Sequence, residues 1–213
     1  LSISSIYLLE VLLRFRWNPV AISADIEKAF LMIGINPDDR DMLRFLWMRD
    51  PYDPRSKMIH LRFCRLMFGL RPSPAILGAV LTHHLNSKKD CDAELIELIK
   101  KSMYVDDFSS GSGNVAEGKE LYVSSKQIMN EASFNLRKWH SNSAELLEFI
   151  DKKENTAHSS SKLSHVKEGN VTEEDESDTK STVGSNIQTR AKSVSVLGTG
   201  WNTETDEFLF ELS

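Results

Sequence analysis

Two adjacent carboxylates interrupt the apolar middle of the chain, in Tyr104-Val105-Asp106-Asp107. An apolar run over residues 96–105 leads into them, and a Gly/Ser-rich stretch over residues 109–113 follows. Neighbouring side chains on a strand point to opposite faces, so both acids can face one point only where the chain bends. Two carboxylates side by side repel each other, which favours a cation beside them. The stretch therefore predicts a β-hairpin with an acidic tip.

A third carboxylate makes a metal site conceivable. Asp25 ends a short apolar run over residues 20–24 that is suited to a central strand. Acids that share a metal ion must converge within a few ångströms. We therefore expect the strand over residues 20–25 and the hairpin over residues 101–111 to be neighbours in one sheet.

The remaining pattern predicts an α+β fold, with a small antiparallel sheet backed by helices. Apolar residues at helical spacing predict helices over about residues 4–15, 74–86 and 115–133. Two aromatic runs, over residues 43–48 and 57–63, are separated by a Pro-rich loop and predict a hairpin. Three cap residues are expected to begin helices: Ser73, Asn114 (with Glu117, as a capping box) and Asn142, the last helix ending near Ile150.

Residues 151–192 differ in composition from the rest of the chain. Ser, Thr, Glu, Lys and Asn dominate, and no Phe, Trp or Tyr is present. Such a segment buries too little apolar surface to offset the entropy lost on ordering, so we predict a disordered, acidic insert. Apolar residues return in residues 193–213, which are expected to form a hairpin that completes the domain begun by residues 1–150.

Charge and cysteine usage bear on partners and compartment. The formal net charge of −5 gives no overall basic signature of a nucleic-acid-binding protein. Arginine recurs between Arg40 and Arg71, where it could follow a nucleic-acid backbone, although a solvated charged face is at least as common. Only Cys64 and Cys91 are present, and no apolar run is long enough to span a membrane. These features favour an intracellular protein without a membrane partner.

Several motifs occur in an order that resembles the palm of reverse transcriptases. They are Asp-Ile-Glu-Lys-Ala-Phe at residues 25–30, a Gly-x-x-x-Ser-Pro helix start at residues 69–74, the acidic hairpin, and Leu-Gly-Thr-Gly-Trp at residues 197–201. The amino-acid sequences of residues 24–30, 67–74 and 136–142 resemble those of the Pao/BEL class of long-terminal-repeat retrotransposons. The resemblance covers about residues 1–150 and 194–213.

The resemblance implies an RNA-directed DNA polymerase that adds deoxynucleotides to a primer 3′-hydroxyl by two-metal phosphoryl transfer. It implies that Asp25, Asp106 and Asp107 bind two Mg²⁺ ions, for which Mn²⁺ can substitute. The implied partners are an RNA or DNA template with its primer, deoxynucleoside triphosphates, and the remaining polyprotein segments: fingers, thumb and ribonuclease H. The implied location is a cytoplasmic virus-like particle.

The resemblance also assigns roles around the carboxylates, each with a plain alternative. Phe30 matches a bulky residue under the sugar that selects deoxynucleotides, or is an ordinary core residue. Lys138 matches a lysine that helps protonate pyrophosphate, or is a solvated surface lysine. The other implied residues are Phe68, Gly69 and Tyr104 in the nucleotide pocket, and Leu197, Gly198 and Trp201 in a primer grip.

A second hypothesis concerns the extent of the chain. It begins too late to contain the whole fingers region, and little follows Trp201 from which a thumb could form. We therefore keep an inactive, truncated retroelement remnant, at most a nucleic-acid-binding module, as the alternative. A generic two-layer α+β binding domain is a third, more distant possibility.

Overall fold

The computed structural model describes residues 3–161 and 193–209, with side chains over residues 7–156 and 193–209. The helices are α1 (Ile3–Trp17), α2 (Ser73–Ser87), α3 (Ala93–Ser102), α4 (Val115–Asn130) and α5 (Ala144–Ser161). The strands are β1 (Val20–Ile26), β2 (Arg44–Met48), β3 (Met58–Arg62), β4 (Met103–Tyr104), β5 (Asp107–Ser112), β6 (Leu136–Ser141), β7 (Ser193–Val196), β8 (Thr199–Asn202) and β9 (Glu207–Leu209).

A central antiparallel sheet has the strand order β4-β5-β1-β6. Within it β1 pairs with β5, and Asp25 lies directly opposite Asp107. The predicted α+β class is confirmed, and so is the expected pairing of the strand that ends at Asp25 with the acidic hairpin. The β2–β3 hairpin is also confirmed, as a separate two-stranded sheet.

The two faces of β1 have different tasks. Val20, Ile22, Ala24 and Ile26 belong to the main hydrophobic core, which also takes in apolar residues of α2, α3, α4 and α5. The alternate residues Ala21, Ser23 and Asp25 point to the opposite face, because side chains alternate along a strand. The central strand thus carries core packing on one face and Asp25 on the other.

A three-stranded sheet covers part of this opposite face. It has the order β7-β8-β9, and its Val196 and Trp201 form a small buried cluster with Phe15 of α1 and Ala21 of β1. The predicted hairpin around residues 202–206 is confirmed as the β8–β9 connection. A further hairpin joins β7 to β8. We refer to β7, β8 and β9 together as the upper sheet.

The structure tests the residues that were predicted to cap helices. The cap at Asn114 is confirmed, since Glu117 N donates to Asn114 Oδ1 over 3.0 Å. The return bond of the predicted capping box is shifted by one residue, because Glu117 Oε2 accepts from Gly113 N over 2.9 Å and not from Asn114 N. The prediction for Ser73 is wrong, because its hydroxyl donates to Met67 O over 2.6 Å.

The prediction for Asn142 is wrong too. Its amide bridges Ala21 N and Pro19 O, while Ser143 Oγ accepts from Leu146 N at the start of α5. Helix α5 continues to Ser161, so residues 151–161 are helical and not part of a disordered insert. The rest of that predicted insert, residues 162–192, lies outside the described residues. Among the helices that the structure describes, none has the length and apolar character needed to cross a membrane.

Candidate active site

The acidic tip is a two-residue turn between β4 and β5. Tyr104 pairs with Asp107, which leaves Val105 and Asp106 to form the bend. Val105 has a φ of 56°, in the left-handed region where a β-branched residue costs on the order of 1–3 kcal/mol. Its side chain packs against the main core, and Ile26 N donates to Asp106 O over 2.9 Å. These contacts hold the strained turn against the end of β1.

The turn brings Asp25, Asp106 and Asp107 together; we call them the acidic set. Asp25 and Asp107 face each other across antiparallel strands, so their side chains leave the same face of the sheet. Burial, together with the negative charges of Asp106 and Asp25, raises the pKa of Asp107 to about 6. The acidic set is therefore a site of concentrated negative charge that a cation would relieve.

The donors of the acidic set suit a hard divalent cation. All are carboxylate oxygens, which Mg²⁺ and Mn²⁺ prefer. Among the described residues, however, no three His, Cys or acidic side chains are gathered closely enough to hold one metal ion. Mg²⁺ keeps several waters and takes one or two carboxylates together with phosphate oxygens. The donor chemistry thus fits such an ion, without a preformed three-ligand cage.

A polar cavity of about 340 Å³ opens beside the acidic set; we call it the carboxylate cavity. Strand β6 supplies one wall, where a β-bulge sets Lys138 and Trp139 against a single residue of β1. Lys138 has a φ of 53°, and its Nζ lies 3.6 Å from Asp25 Oδ2, while Trp139 turns into the core. The bulge therefore places the ammonium group of Lys138 beside the carboxylates. Lys138 is the residue to which the resemblance assigns a role at the pyrophosphate.

Ser23, Ser109 and His140 also line the carboxylate cavity, and the sequence reasoning missed them. Ser23 pairs with both Ser109 and His140, so the three share one row across the sheet. A signal was present, because Ser23 lies two residues before Asp25 and Ser109 two residues after Asp107, on the same face. The small side chains of Ser23 and Ser109 leave room above the sheet for a ligand.

The upper sheet supplies the opposite wall through the β7–β8 turn. Leu197 and Gly198 form this turn, with φ values of 52° and 80°, and both line the carboxylate cavity with Ser195 and Val196. Trp201, the third residue assigned to a primer grip, does not reach the cavity. Its side chain is fully buried, with the ring edge-on to Phe15 at 4.9 Å between centroids.

The predicted nucleotide-pocket residues lie elsewhere. Phe30 is only 5% exposed and contacts the ring of Phe68, 4.6 Å away between centroids. Phe68 is 62% exposed, and Gly69 has a φ of 82° that glycine adopts without strain. None of the three is among the described residues that line the carboxylate cavity. Phe30 belongs to the main core, with Phe68 packed on it at the surface.

Tyr104 joins the acidic hairpin to α1. Its ring stacks on Tyr7 of α1 at 6.2 Å, and the Tyr7 hydroxyl donates to Met103 O over 2.9 Å. Both tyrosines line a second cavity of about 280 Å³, shared with residues of α2. Tyr104 thus pairs with Asp107 but lines this second cavity and not the carboxylate cavity.

Members of the arginine series have local partners. Arg44 and Arg62 bind the carboxylate of Asp41 at 2.5 and 2.8 Å, and Arg40 Nε donates to Ile35 O over 3.0 Å. The hydrogen bonds from Arg44 and Arg62 hold the pKa of Asp41 below its usual value. These arginines bind partners within the chain at its surface, which favours the solvated charged face over a row of contacts to a nucleic-acid backbone.

The raised pKa of Asp107 predicts a pH-dependent stability of the metal-free protein. A carboxyl group whose pKa rises from 3.8 to about 6 on folding takes up protons, so it favours the folded state below pH 4 and loses this contribution as the pH rises through 6. We expect Asp107→Asn to be more stable than the wild type at pH 7 by on the order of 1 kcal/mol, allowing for solvent screening. Urea unfolding between pH 4 and 7.5 measures this difference.

The matched control is Glu120→Gln, which neutralises an exposed acid on α4. It should leave the pH profile of the wild type unchanged. A pH profile for Asp107→Asn that is parallel to the wild type would contradict the raised pKa.

No protein-family model matches the chain, and no curated protein sequence matches it. A foamy viral protease-reverse transcriptase solved with RNA/DNA hybrid matches 62% of the chain with 21% identity and a TM-score of 0.45. A foamy viral protease-reverse transcriptase dRH solved with double-stranded DNA matches 58% with 21% identity and a TM-score of 0.43. The matched part spans 16% and 20% of those chains. The structural similarity is distant, and it does not show that this chain binds the ligands of those proteins.

Proposed function

We propose that this chain is the palm of a reverse transcriptase, an RNA-directed DNA polymerase from a retrotransposon polyprotein of the Pao/BEL type. One observation carries the proposal. Asp25 of β1 and the Asp106-Asp107 tip of the neighbouring hairpin border one polar cavity that is open to a ligand. Three carboxylates beside a cavity are suited to phosphoryl transfer, in which metal ions balance the negative charge of phosphate groups.

The acidic set would hold the metal ions. Two Mg²⁺ ions bound there supply the charge that activates an attacking 3′-oxygen and neutralises a leaving pyrophosphate. The protein contributes the carboxylates, presented from two paired strands whose backbone is fixed by the sheet. The strained turn at Val105 keeps Asp106 beside Asp107, so that little reorganisation is needed when a ligand binds.

Lys138 acts at the same cavity as a cation and proton donor. Its Nζ is within reach of Asp25, and its side chain is 57% exposed, so it can leave the carboxylate for an anionic ligand. In the proposed reaction Lys138 donates its proton to an oxygen of the departing pyrophosphate, and solvent returns a proton to the amine. The bulge in β6 is the backbone feature that makes this position possible.

The Leu197-Gly198 turn holds the primer end against the acidic set. Gly198 has no side chain, so a nucleic-acid backbone can approach its peptide group closely. Ser23 and Ser109 line the carboxylate cavity, and their small side chains leave space for the terminal sugar. Template, primer and deoxynucleoside triphosphate are the proposed ligands, with the fingers, thumb and ribonuclease H segments of the polyprotein as partners in a cytoplasmic particle.

A nucleic-acid-binding remnant without activity is the second candidate. The observation that favours it is the lack, among the described residues, of three side chains gathered around one metal position. Such a protein would bind a primer–template without extending it, and its affinity would not depend on a divalent ion.

Primer extension separates the two candidates. The chain, both by itself and joined to the fingers segment proposed as its partner, is incubated with an RNA template, a labelled DNA primer and deoxynucleotides, in Mg²⁺, in Mn²⁺ and in a chelator, and extension by either form counts as activity. We expect extension in either metal and none in the chelator. Binding without extension, measured by fluorescence anisotropy of the same primer–template, would support the remnant, and a chain that neither binds nor extends would reject both candidates.

A further inference from the structure

The upper sheet meets the rest of the molecule through a small contact. Its apolar part is the cluster of Phe15, Ala21, Val196 and Trp201, which is separate from the main core. Val194, Leu197 and Phe208 of the upper sheet also pack against this cluster, but among the described residues only Phe15 and Ala21 meet it from the other side. The apolar contact is thus confined to one place, about which the upper sheet could still tilt. The position of the Leu197-Gly198 turn over the acidic set therefore depends on what else fixes the upper sheet.

A polar contact between Arg16 and Asp206 supplies this fixing; we call the pair the clip. Arg16 Nη1 bonds to Asp206 Oδ1, and Arg16 Nη2 donates to Asp206 O over 2.6 Å. Trp201 Nε1 donates to the same Oδ1 over 3.0 Å. The Arg16 guanidinium also lies over the ring of Phe208, 5.7 Å from its centroid. Arg16 thus contacts the carboxylate and the carbonyl of Asp206 in the β8–β9 turn, and the ring of Phe208 in β9.

The clip joins the two walls of the carboxylate cavity by a short path. Arg16 is in the last turn of α1, and the chain enters β1 at Val20 and reaches Asp25 within the same strand. Asp206 lies between β8 and β9, and β8 pairs with β7, whose Ser195 and Val196 line the cavity. A shift at the clip would therefore change the separation between the Leu197-Gly198 turn and Asp25.

We propose that Arg16 and Asp206 are positioning residues, which set the Leu197-Gly198 turn at the distance from Asp25 that a primer 3′ end requires. This inference rests on the proposed function. Partly exposed ion pairs contribute little to stability, whereas a misplacement of about 1 Å can slow a reaction by about 10²-fold. The clip should thus matter more for rate than for folding.

The structure offers a matched control pair. Lys88 and Glu131 form an ion pair between the end of α2 and the end of α4, with the lysine 23% exposed against 30% for Arg16. Neither residue lines the carboxylate cavity. Arg16→Met and Lys88→Met each remove a cation and keep an unbranched stem, so a general effect of losing an ion pair appears in both.

Amide hydrogen exchange of the whole chain tests whether the clip fixes the upper sheet. In Arg16→Met we expect exchange in residues 193–202 to rise by at least about tenfold, with β1 and β5 unchanged. In Lys88→Met the exchange of residues 193–202 should equal that of the wild type. Unchanged exchange in Arg16→Met would overturn the inference.

Primer extension kinetics test whether the fixing positions the primer. We expect Arg16→Met to lower kcat by about 10- to 100-fold with an unchanged KM for the deoxynucleotide, and Arg16→Lys, which keeps the charge, to recover part of the loss. Asp206→Asn, which can still accept from Trp201, and the double variant should fall no further than Arg16→Met, because the two residues act as one unit.

The outcomes separate this inference from the function on which it rests. A wild-type chain that does not extend a primer rejects the proposed function, and the positioning role with it. A wild type that extends, beside an Arg16→Met variant with loosened exchange and a wild-type kcat, overturns the positioning role alone.

Discussion

Asp106→Asn is expected to lower the kcat of primer extension by at least about 10³-fold, which corresponds to about 4 kcal/mol of activation free energy. The substitution keeps the shape of the side chain and removes one negative charge from the carboxylates that would hold the metal ions, whose positive charge offsets that of the phosphate groups. The fold should survive, because Asp106 anchors β1 through its backbone carbonyl, which Asn retains. The loss should appear in kcat, since the missing charge acts on the reacting phosphoryl group.

A second expected result accompanies the loss of activity. The negative charge of Asp106 is one cause of the raised pKa of Asp107, so Asp106→Asn should lower that pKa towards its ordinary value. Single-turnover extension and the pH dependence of unfolding are measured on the same variant, with Glu120→Gln as the control for removing one exposed acid. A variant that keeps a wild-type kcat would show that the acidic set is not the reaction centre.

The strand that ends at Asp25 and the acidic hairpin were each predictable from the sequence because their causes are local. A short apolar run ending in an acid predicts a buried strand with a polar end, and two acids between an apolar run and a Gly/Ser stretch predict a bend. That the two strands are neighbours is expected from the hypothesis that the acids converge, whereas the register of Asp25 against Asp107 is known only from the structure. The helix cap at Asn114 was predictable from local sequence too, since Glu117 lies three residues away.

In both failed helix caps the side chain hydrogen-bonds to a partner outside the helix that it was predicted to cap. The Asn142 amide is taken by Ala21 and Pro19 at the entrance to β1, more than a hundred residues away, so it is not available to cap α5. The Ser73 hydroxyl is drawn to Met67 O by the loop before α2. A cap is one of several partners that such a side chain can choose, and tertiary contacts decide among them.

The walls of the carboxylate cavity could be predicted only in part. Lys138 was assigned by resemblance, but the β-bulge that brings its Nζ to Asp25 depends on how β6 pairs with β1, and no local pattern encodes it. Trp201 was assigned to a primer grip, whereas its indole fills the space between α1 and β1. An aromatic residue beside a glycine turn can serve packing or binding, and its sequence neighbours do not distinguish the two.

Phe30→Val is expected to change both stability and sugar preference. Removing most of a buried ring should lower the free energy of unfolding by about 2 kcal/mol, because it leaves space in the main core. If the ring also lies under the sugar of a bound nucleotide, the preference for deoxynucleotides over ribonucleotides should fall by at least about tenfold, since a 2′-hydroxyl then meets a smaller side chain. The ratio of kcat/KM for the two nucleotide types measures this preference.

Two variants show which role Phe30 has. Phe134→Val cuts back a ring that is 2% exposed in the same core, so it should lose similar stability with no change in sugar preference. Phe68→Ala removes the exposed ring that packs on Phe30, so it should cost less stability and leave Phe30 open to a ligand. A sugar preference that changes in Phe30→Val and not in Phe134→Val would mean that the Phe30 ring reaches the sugar when Phe68 moves aside. A preference that changes only in Phe68→Ala would make Phe68 the selecting residue and Phe30 its support from the core.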